Sequence, residues 1–99
     1  MTELEYGLAL PLGAPVGELL ELAVEAERRG YGWLWLNDDR LERDPFTLLA
    51  AVAERTERIR LGPGVTNPYS RHPALLATAM ATLDELSGGR AVLGLGAGG

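Results

Sequence analysis

The chain has 99 residues, 46% of them hydrophobic, a formal net charge of -5, and no Cys. That suffices for one domain with a modest core, burying about 60 to 65% of the unfolded surface, and it excludes disulfides, a thiolate nucleophile and a Cys-based metal site. There is no basic stripe, no apolar run near the roughly 20 residues of a membrane span, and an acidic start (Glu3, Glu5), so neither a nucleic-acid nor a membrane partner is expected and the setting reads as cytoplasmic.

All nine basic residues are Arg, and Lys and Gln are absent. A GC-rich genome gives such usage, and so does a designed or reconstructed sequence. Either way there is no lysine for a Schiff base or a phosphate.

In chain order, Glu5 to Leu10 reads as a first strand, and Pro11 to Gly17, with two Pro and two Gly, as its exit loop. Leu19, Leu20, Leu22, Ala23, Val24 and Ala26 then form an apolar helical face opposite Glu18, Glu21, Glu25 and Arg28, until Gly30 supplies a stop. Gly32 to Leu36 is a second strand, apolar on both faces as a covered parallel strand should be, and Asn37 to Arg43 is its polar exit. Asp44 as N-cap and Pro45 at the first helical position open a second helix with Leu48, Leu49, Val52 and Ala53 inward. Ile59 to Val65 is a third strand, in which Pro63 cannot donate to a ladder and so predicts a bulge. A third helix begins at Pro73, shows Leu75, Leu76, Ala79, Met80, Leu83 and Leu86, and ends at Ser87-Gly88-Gly89. Arg90 to Leu95 is a fourth strand.

The predicted order is β-α-β-α-β-α-β, with strands starting about 27 to 31 residues apart. Right-handed crossovers make the four strands parallel, with the helices on one face or split over two. Four strands cannot close a barrel, so a barrel implies further strands or a second copy. Gly94, Gly96 and Gly99 match the dinucleotide pattern G-x-G-x-x-G, but the following helix and the acidic residue about 20 positions on are not there. Glycines that let a backbone approach a ligand or a neighbouring strand explain the run better.

Three segments carry a family resemblance: Gly64-Val65-Thr66-Asn67-Pro68-Tyr69-Ser70-Arg71-His72-Pro73, Leu83-Asp84-Glu85-Leu86-Ser87-Gly88-Gly89-Arg90 and Leu93-Gly94-Leu95-Gly96-Ala97-Gly98. Trp35-Leu36-Asn37-Asp38 and Asp44-Pro45 fit the same pattern. The chain resembles the luciferase-like monooxygenase superfamily, most closely the coenzyme F420-dependent branch of methylenetetrahydromethanopterin reductases, over essentially its whole length.

The resemblance implies half of a TIM (β/α)8 barrel, 1–99 forming a single half-barrel domain that ends after its fourth strand. It implies coenzyme F420 or FMN as cofactor, its ring at the carboxyl ends of the strands, and a non-proline cis peptide at Gly64-Val65 backing that ring. Asn37, Gly64, Val65, Thr66, Asn67, Gly96, Ala97 and Gly98 are the implied cofactor-binding residues, and Asp38 the implied catalytic carboxylate. A His often follows that carboxylate in the family; Asp39 stands there instead, so an imidazole acid/base is missing. His72 reads as a cap for the third helix rather than a proton-transfer group, and Arg71 as either an anion contact or a solvated loop residue.

Two functions follow. One is a fragment of a flavin- or F420-dependent oxidoreductase, inactive on its own because much of the cofactor's anchoring lies in the family's second half. The other is a non-catalytic, designed or reconstructed half-barrel scaffold. In both, the expected partner is a second copy, through exposed strand edges.

Overall fold

The computed structural model describes residues 5–10, 12–38, 43–66 and 71–96. Strands β1 (Gly7–Leu10), β2 (Trp33–Leu36) and β3 (Arg60–Pro63) alternate with helices α1 (Val16–Arg28), α2 (Pro45–Arg55) and α3 (Pro73–Leu86). The sheet runs β1-β2-β3 with all strands parallel, in continuous register from Gly7, Trp33 and Arg60 to Leu10, Leu36 and Pro63.

The period of two along each strand sorts the residues. Leu10, Leu34, Leu36 and Leu61 join a buried core with Leu19, Ala23 and Ala26 of α1, Leu48, Leu49, Val52 and Ala53 of α2, and Leu83 of α3. One core therefore draws on all three helices and one face of the sheet. The opposite parity carries Trp33 and Trp35, half-buried, with their rings stacked at 6.0 Å between centroids and 12° between planes. Arg60 lies over the Trp33 ring at 5.3 Å, and the Trp33 indole N–H donates to Glu5 at 2.8 Å.

Helix ends follow local chemistry. Asp44 accepts from the Thr47 N–H at 2.9 Å, and Pro45 starts α2. His72 caps α3 through Nδ1, which accepts from the Ala74 N–H at 3.1 Å. Gly30, at a φ of 88°, takes the left-handed turn that ends α1. Helix α1 begins at Val16, inside the expected exit loop, because the Pro15 carbonyl already accepts from the Leu19 N–H at 3.0 Å. The helical faces are narrower than the sequence suggests: Leu22 of α1 and Leu75 and Leu86 of α3 are exposed, since only one side of each helix meets the sheet or a neighbouring helix.

The expected fourth strand requires correction. Residues 91–96 run beside β3 but meet it at two isolated parallel bridges, Leu61 with Ala91 and Thr66 with Leu95, rather than in a ladder. Five steps separate Leu61 from Thr66 while four separate Ala91 from Leu95, so β3 carries one extra residue. The bulge foreseen at Pro63 is that residue's consequence, and β3 itself ends at Pro63 instead of Val65. The Gly64-Val65 peptide is cis. Hydrogen bonds flank it on both sides, the Gly94 N–H donating to Pro63 O at 3.0 Å before it and the Thr66 N–H to Gly94 O at 2.8 Å after it.

Two charged residues tie loops to this small core. Arg90 ties the end of α2 and the segment after it to the C-cap of α3, donating to Ala53 O, Thr56 O, Thr56 Oγ1, Ile59 O and Ser87 O at 2.6 to 3.0 Å. Glu27, in the last turn of α1, accepts the N–H groups of Glu57, Arg58 and Ile59, the shortest at 2.6 Å. Among the described residues no helix is long and apolar enough to cross a membrane.

Burial alone would raise the Glu27 pKa, but the N–H donors of Arg58, Ile59 and Glu57 outweigh it and hold the carboxyl below its ordinary 4.5. A lowered folded pKa contributes stability that is present above the unfolded value and lost as pH falls through the folded one. Acid denaturation of the Glu27→Gln variant should accordingly be flatter than the parent's below about pH 4.5, with the variant less stable at neutral pH. Identical pH profiles in circular-dichroism melts would show that the clasp contributes nothing.

Candidate functional site

At the carboxyl end of the sheet, each strand releases its chain where no ladder partner remains. After Leu36 the chain turns out at Asn37, which is exposed, while the side chain of Asp38 turns back and is only 2% exposed. A carboxylate so buried requires charged or hydrogen-bonding partners. Arg71, from the far side of the β3-to-α3 connection, provides a fork: Nε to Oδ2 at 2.5 Å and Nη2 to Oδ1 at 2.9 Å. The Thr66 hydroxyl donates to the same Oδ2 at 2.6 Å.

Arg71 also reaches Asp44 Oδ1 at 3.3 Å and lies over the Phe46 ring at 4.9 Å. The hydrogen bond to Asp38 raises the guanidinium's pKa above its ordinary value, against the opposing effect of burial. For Asp44, burial pushes upward, but the Thr47 N–H and hydroxyl and then Arg71 bring the carboxyl below its ordinary value. Arg71 is thus held by two carboxylates of the chain itself, Asp38 and Asp44, with its side chain 31% exposed.

Beside this cluster, on the helix-free side of the sheet, the backbone packs closely on aromatic and aliphatic surface. A Cβ on Gly64 would stand 2.6 Å from Trp35 Cε3, and one on Gly94 would stand 3.1 Å from Pro63 O and 3.5 Å from Trp35 Cζ3. Gly96 lies against the Val65 side chain, where a Cβ would come within 3.3 Å. Val65 itself is 49% exposed. Trp35, Gly64, Val65, Gly94 and Gly96 therefore make a continuous surface, with Asn37 on the same end of the sheet.

The structure brings together most of the residues singled out by sequence. Asp38, Gly64, Val65, Thr66 and Gly96 are within one neighbourhood, but Thr66 is 1% exposed and points its hydroxyl at Asp38. Asn67, Ala97 and Gly98 lie outside the described residues. Trp35 and Gly94 were not assigned a site role from sequence, and Arg71 was read only as an anion contact or a solvated loop residue. Trp35 carries its signal in the Trp-Leu-Trp-Leu alternation of β2, which puts both indoles on the side away from the leucines. Arg71's partners could not be read from a sequence separation of 33 residues.

Residues 3–99 match the profile of the luciferase-like monooxygenase family. The chain belongs to that family. A 5,10-methylenetetrahydromethanopterin reductase of Archaeoglobus fulgidus is 51% identical over 73 residues, covering 74% of this chain and 22% of the relative. The coenzyme F420-dependent tetrahydromethanopterin reductase of Methanopyrus kandleri superposes with a TM-score of 0.95 at 38% identity, over 99% of this chain and 28% of that one. The oxygenating constituent of 3,6-diketocamphane monooxygenase from Pseudomonas putida, solved with FMN, gives a TM-score of 0.87 at 27% identity, over 98% and 30%. The chain spans 22 to 28% of the length of these reductase relatives, and its homologues include F420-dependent and flavin-dependent oxidoreductases.

A methyl group at Gly64 should cost about 1 to 3 kcal/mol, as overpacking of a filled site does. Chemical denaturation of Gly64→Ala checks this. Adding Trp35→Leu should recover part of the loss, because the two positions touch and their effects are not additive. A Gly64→Ala variant as stable as the parent would rule out the close approach.

Proposed function

We propose that the carboxyl end of β2 and β3, together with residues 91–96, is the ring-receiving face of a flavin- or F420-dependent oxidoreductase site. The observation that carries this reading is the surface of Trp35, Gly64, Val65, Gly94 and Gly96. Glycine at three positions lets backbone lie flush with aromatic and aliphatic atoms, and flat apolar surface with few polar groups at its rim suits a planar tricyclic ring. Gly64, Val65 and Gly96 supply the surface and Asn37 an amide at the rim. Thr66 and Asp38 support it from behind, and Asn67, Ala97 and Gly98 complete the set. When bound, F420 or FMN supplies the hydride-transfer centre, and the chain's part is to bind and orient it.

The three strands and residues 91–96 are read as consecutive staves of a (β/α)8 barrel, in which sites sit at this end. Among the described residues the face offers little to a cofactor's phosphate, since the Arg71 guanidinium is already engaged by Asp38 and Asp44. Binding by the 99-residue chain alone is therefore weak, in the micromolar range or poorer, and hydride transfer is absent without groups that fix the acceptor. Titration of F420 and FMN followed by their fluorescence tests this. Val65→Asp, which alters an exposed side chain, and Gly64→Val should abolish binding, and Arg28→Ala, on the far side of α1, should leave it unchanged. Equal binding by Val65→Asp and the parent would remove this face from the site.

A second reading, favoured by a different observation, is a self-associating scaffold without catalysis. Trp33 and Trp35 are only partly buried on the face away from the leucine core, and Tyr6, Leu93 and Leu95 are exposed beside the two outer edges of the sheet. A second copy placing its open edge against this one would cover both. Light scattering should give a mass above that of the 10.6 kDa chain. A single 10.6 kDa species at micromolar concentration would overturn self-association and leave the ring-binding reading intact.

A further inference from the structure

Arg71 occupies an unusual place in the chain's connectivity. Asp38 and Asp44 stand on either side of the β2-to-α2 connection, and Thr66 and Arg71 on either side of the β3-to-α3 connection. One guanidinium contacts both flanks of the first connection, 2.5 Å from Asp38 and 3.3 Å from Asp44, and through Asp38 it reaches Thr66. Asp44 uses its other oxygen, Oδ2, to accept from the N–H and hydroxyl of Thr47 at 2.9 and 2.8 Å, so the start of α2 is part of the same network. Arg71 directly precedes His72, the cap of α3. On the other side, Thr66 donates its N–H to Gly94 O at 2.8 Å and accepts from the Gly96 N–H at 3.0 Å.

A continuous polar path therefore runs from the starts of α2 and α3, through Arg71 and Asp38, to Thr66 and on to residues 94–96. We propose that Arg71 is a positioning residue: it braces the Asp38 carboxylate so that Thr66 and the bulged exit of β3 hold the Gly64, Val65 and Gly96 surface in place. Its hydrogen bonds and ion pairs go to Asp38 and Asp44 and not to that surface. Two features make it a brace rather than a receptor for an anionic ligand. Its fork is filled by a carboxylate that is 2% exposed, and among the described residues its other partners are Asp44 and the face of Phe46. Arginine suits the task because its planar fork fixes the direction of the carboxylate, whereas a lysine ammonium supplies only charge.

The cofactor arm of the test rests on the ring-binding reading; the exchange arm does not. Hydrogen exchange would be followed residue by residue in the parent, Arg71→Met and Arg71→Lys, with F420 and FMN fluorescence titrations alongside. In Arg71→Met the amides of Thr66, Gly94 and Gly96 should exchange at least tenfold faster, while those of α1 and of Leu34 to Leu36 keep the parent's protection. Arg71→Lys should lie between, recovering part of the protection, and cofactor affinity should follow the same order. If Arg71→Met does not fold, Arg71→Lys and Thr66→Val decide, each expected to loosen Gly94 and Gly96 locally. Unchanged exchange at Thr66, Gly94 and Gly96, or acceleration spread evenly into α1, would overturn the brace. A parent that binds neither cofactor but shows the local loss in Arg71→Met would keep the brace and remove the ring-binding reading.

Discussion

The extra residue between Leu61 and Thr66 is the constraint on which the rest of this end of the molecule depends. Without it, β3 and residues 91–96 would form an even ladder, and a one-residue shift would turn every later side chain to the opposite face. With it, the chain leaves the sheet at Pro63, which has no N–H to offer, and rejoins its neighbour at Thr66 with the hydroxyl turned toward Asp38. The same detour brings Gly64 against the Trp35 ring and leaves Val65 outward. A side chain at Gly64 would force the Trp35 ring aside, and a regular fourth strand is incompatible with that path.

A sheet of three four-residue strands makes a short core, and the polar clasps show how its loops are held to it. Glu27 holds three consecutive backbone N–H groups ahead of β3, while Arg90 satisfies carbonyls at the end of α2 that the helix itself cannot pair. Arg71 performs the corresponding task at the opposite end of the strands. All three are charged groups bound to backbone or to an opposite charge at low exposure or in saturated geometry, where such contacts are stronger than ordinary surface ion pairs. The Glu25 pairs with Arg28 and Arg29 on α1 are of that weaker surface kind.

The two faces of the sheet have separate tasks. Leucines on one side join the three helices in a single buried cluster. On the other side, the stacked indoles, Arg60 and the glycines at the carboxyl end of the strands form one stretch that includes the wall of the candidate site. Membership of the luciferase-like monooxygenase family accords with a site at this end, since the strands' carboxyl ends are where parallel α/β folds place their ligands.

Much of the framework was legible in the sequence because its causes are local. Asp44-Pro45 and His72-Pro73 mark helix starts by capping chemistry, the leucine and tryptophan alternation in β2 assigns faces by a period of two, and Pro63 announces a bulge because it lacks a donor. The family, too, could be recognised from the Gly64 to Pro73 and Leu93 to Gly98 segments. What only the tertiary structure decided depends on contacts between residues distant in the chain. It reduced the fourth strand to two bridges, since the register between β3 and residues 91–96 is set by both segments together. It left Leu22, Leu75 and Leu86 exposed, because the width of a helix's contact depends on its neighbours. It also joined Arg71 to Asp38: a guanidinium's partner is chosen by where the folded backbone places a buried carboxylate, and no spacing along the chain specifies that.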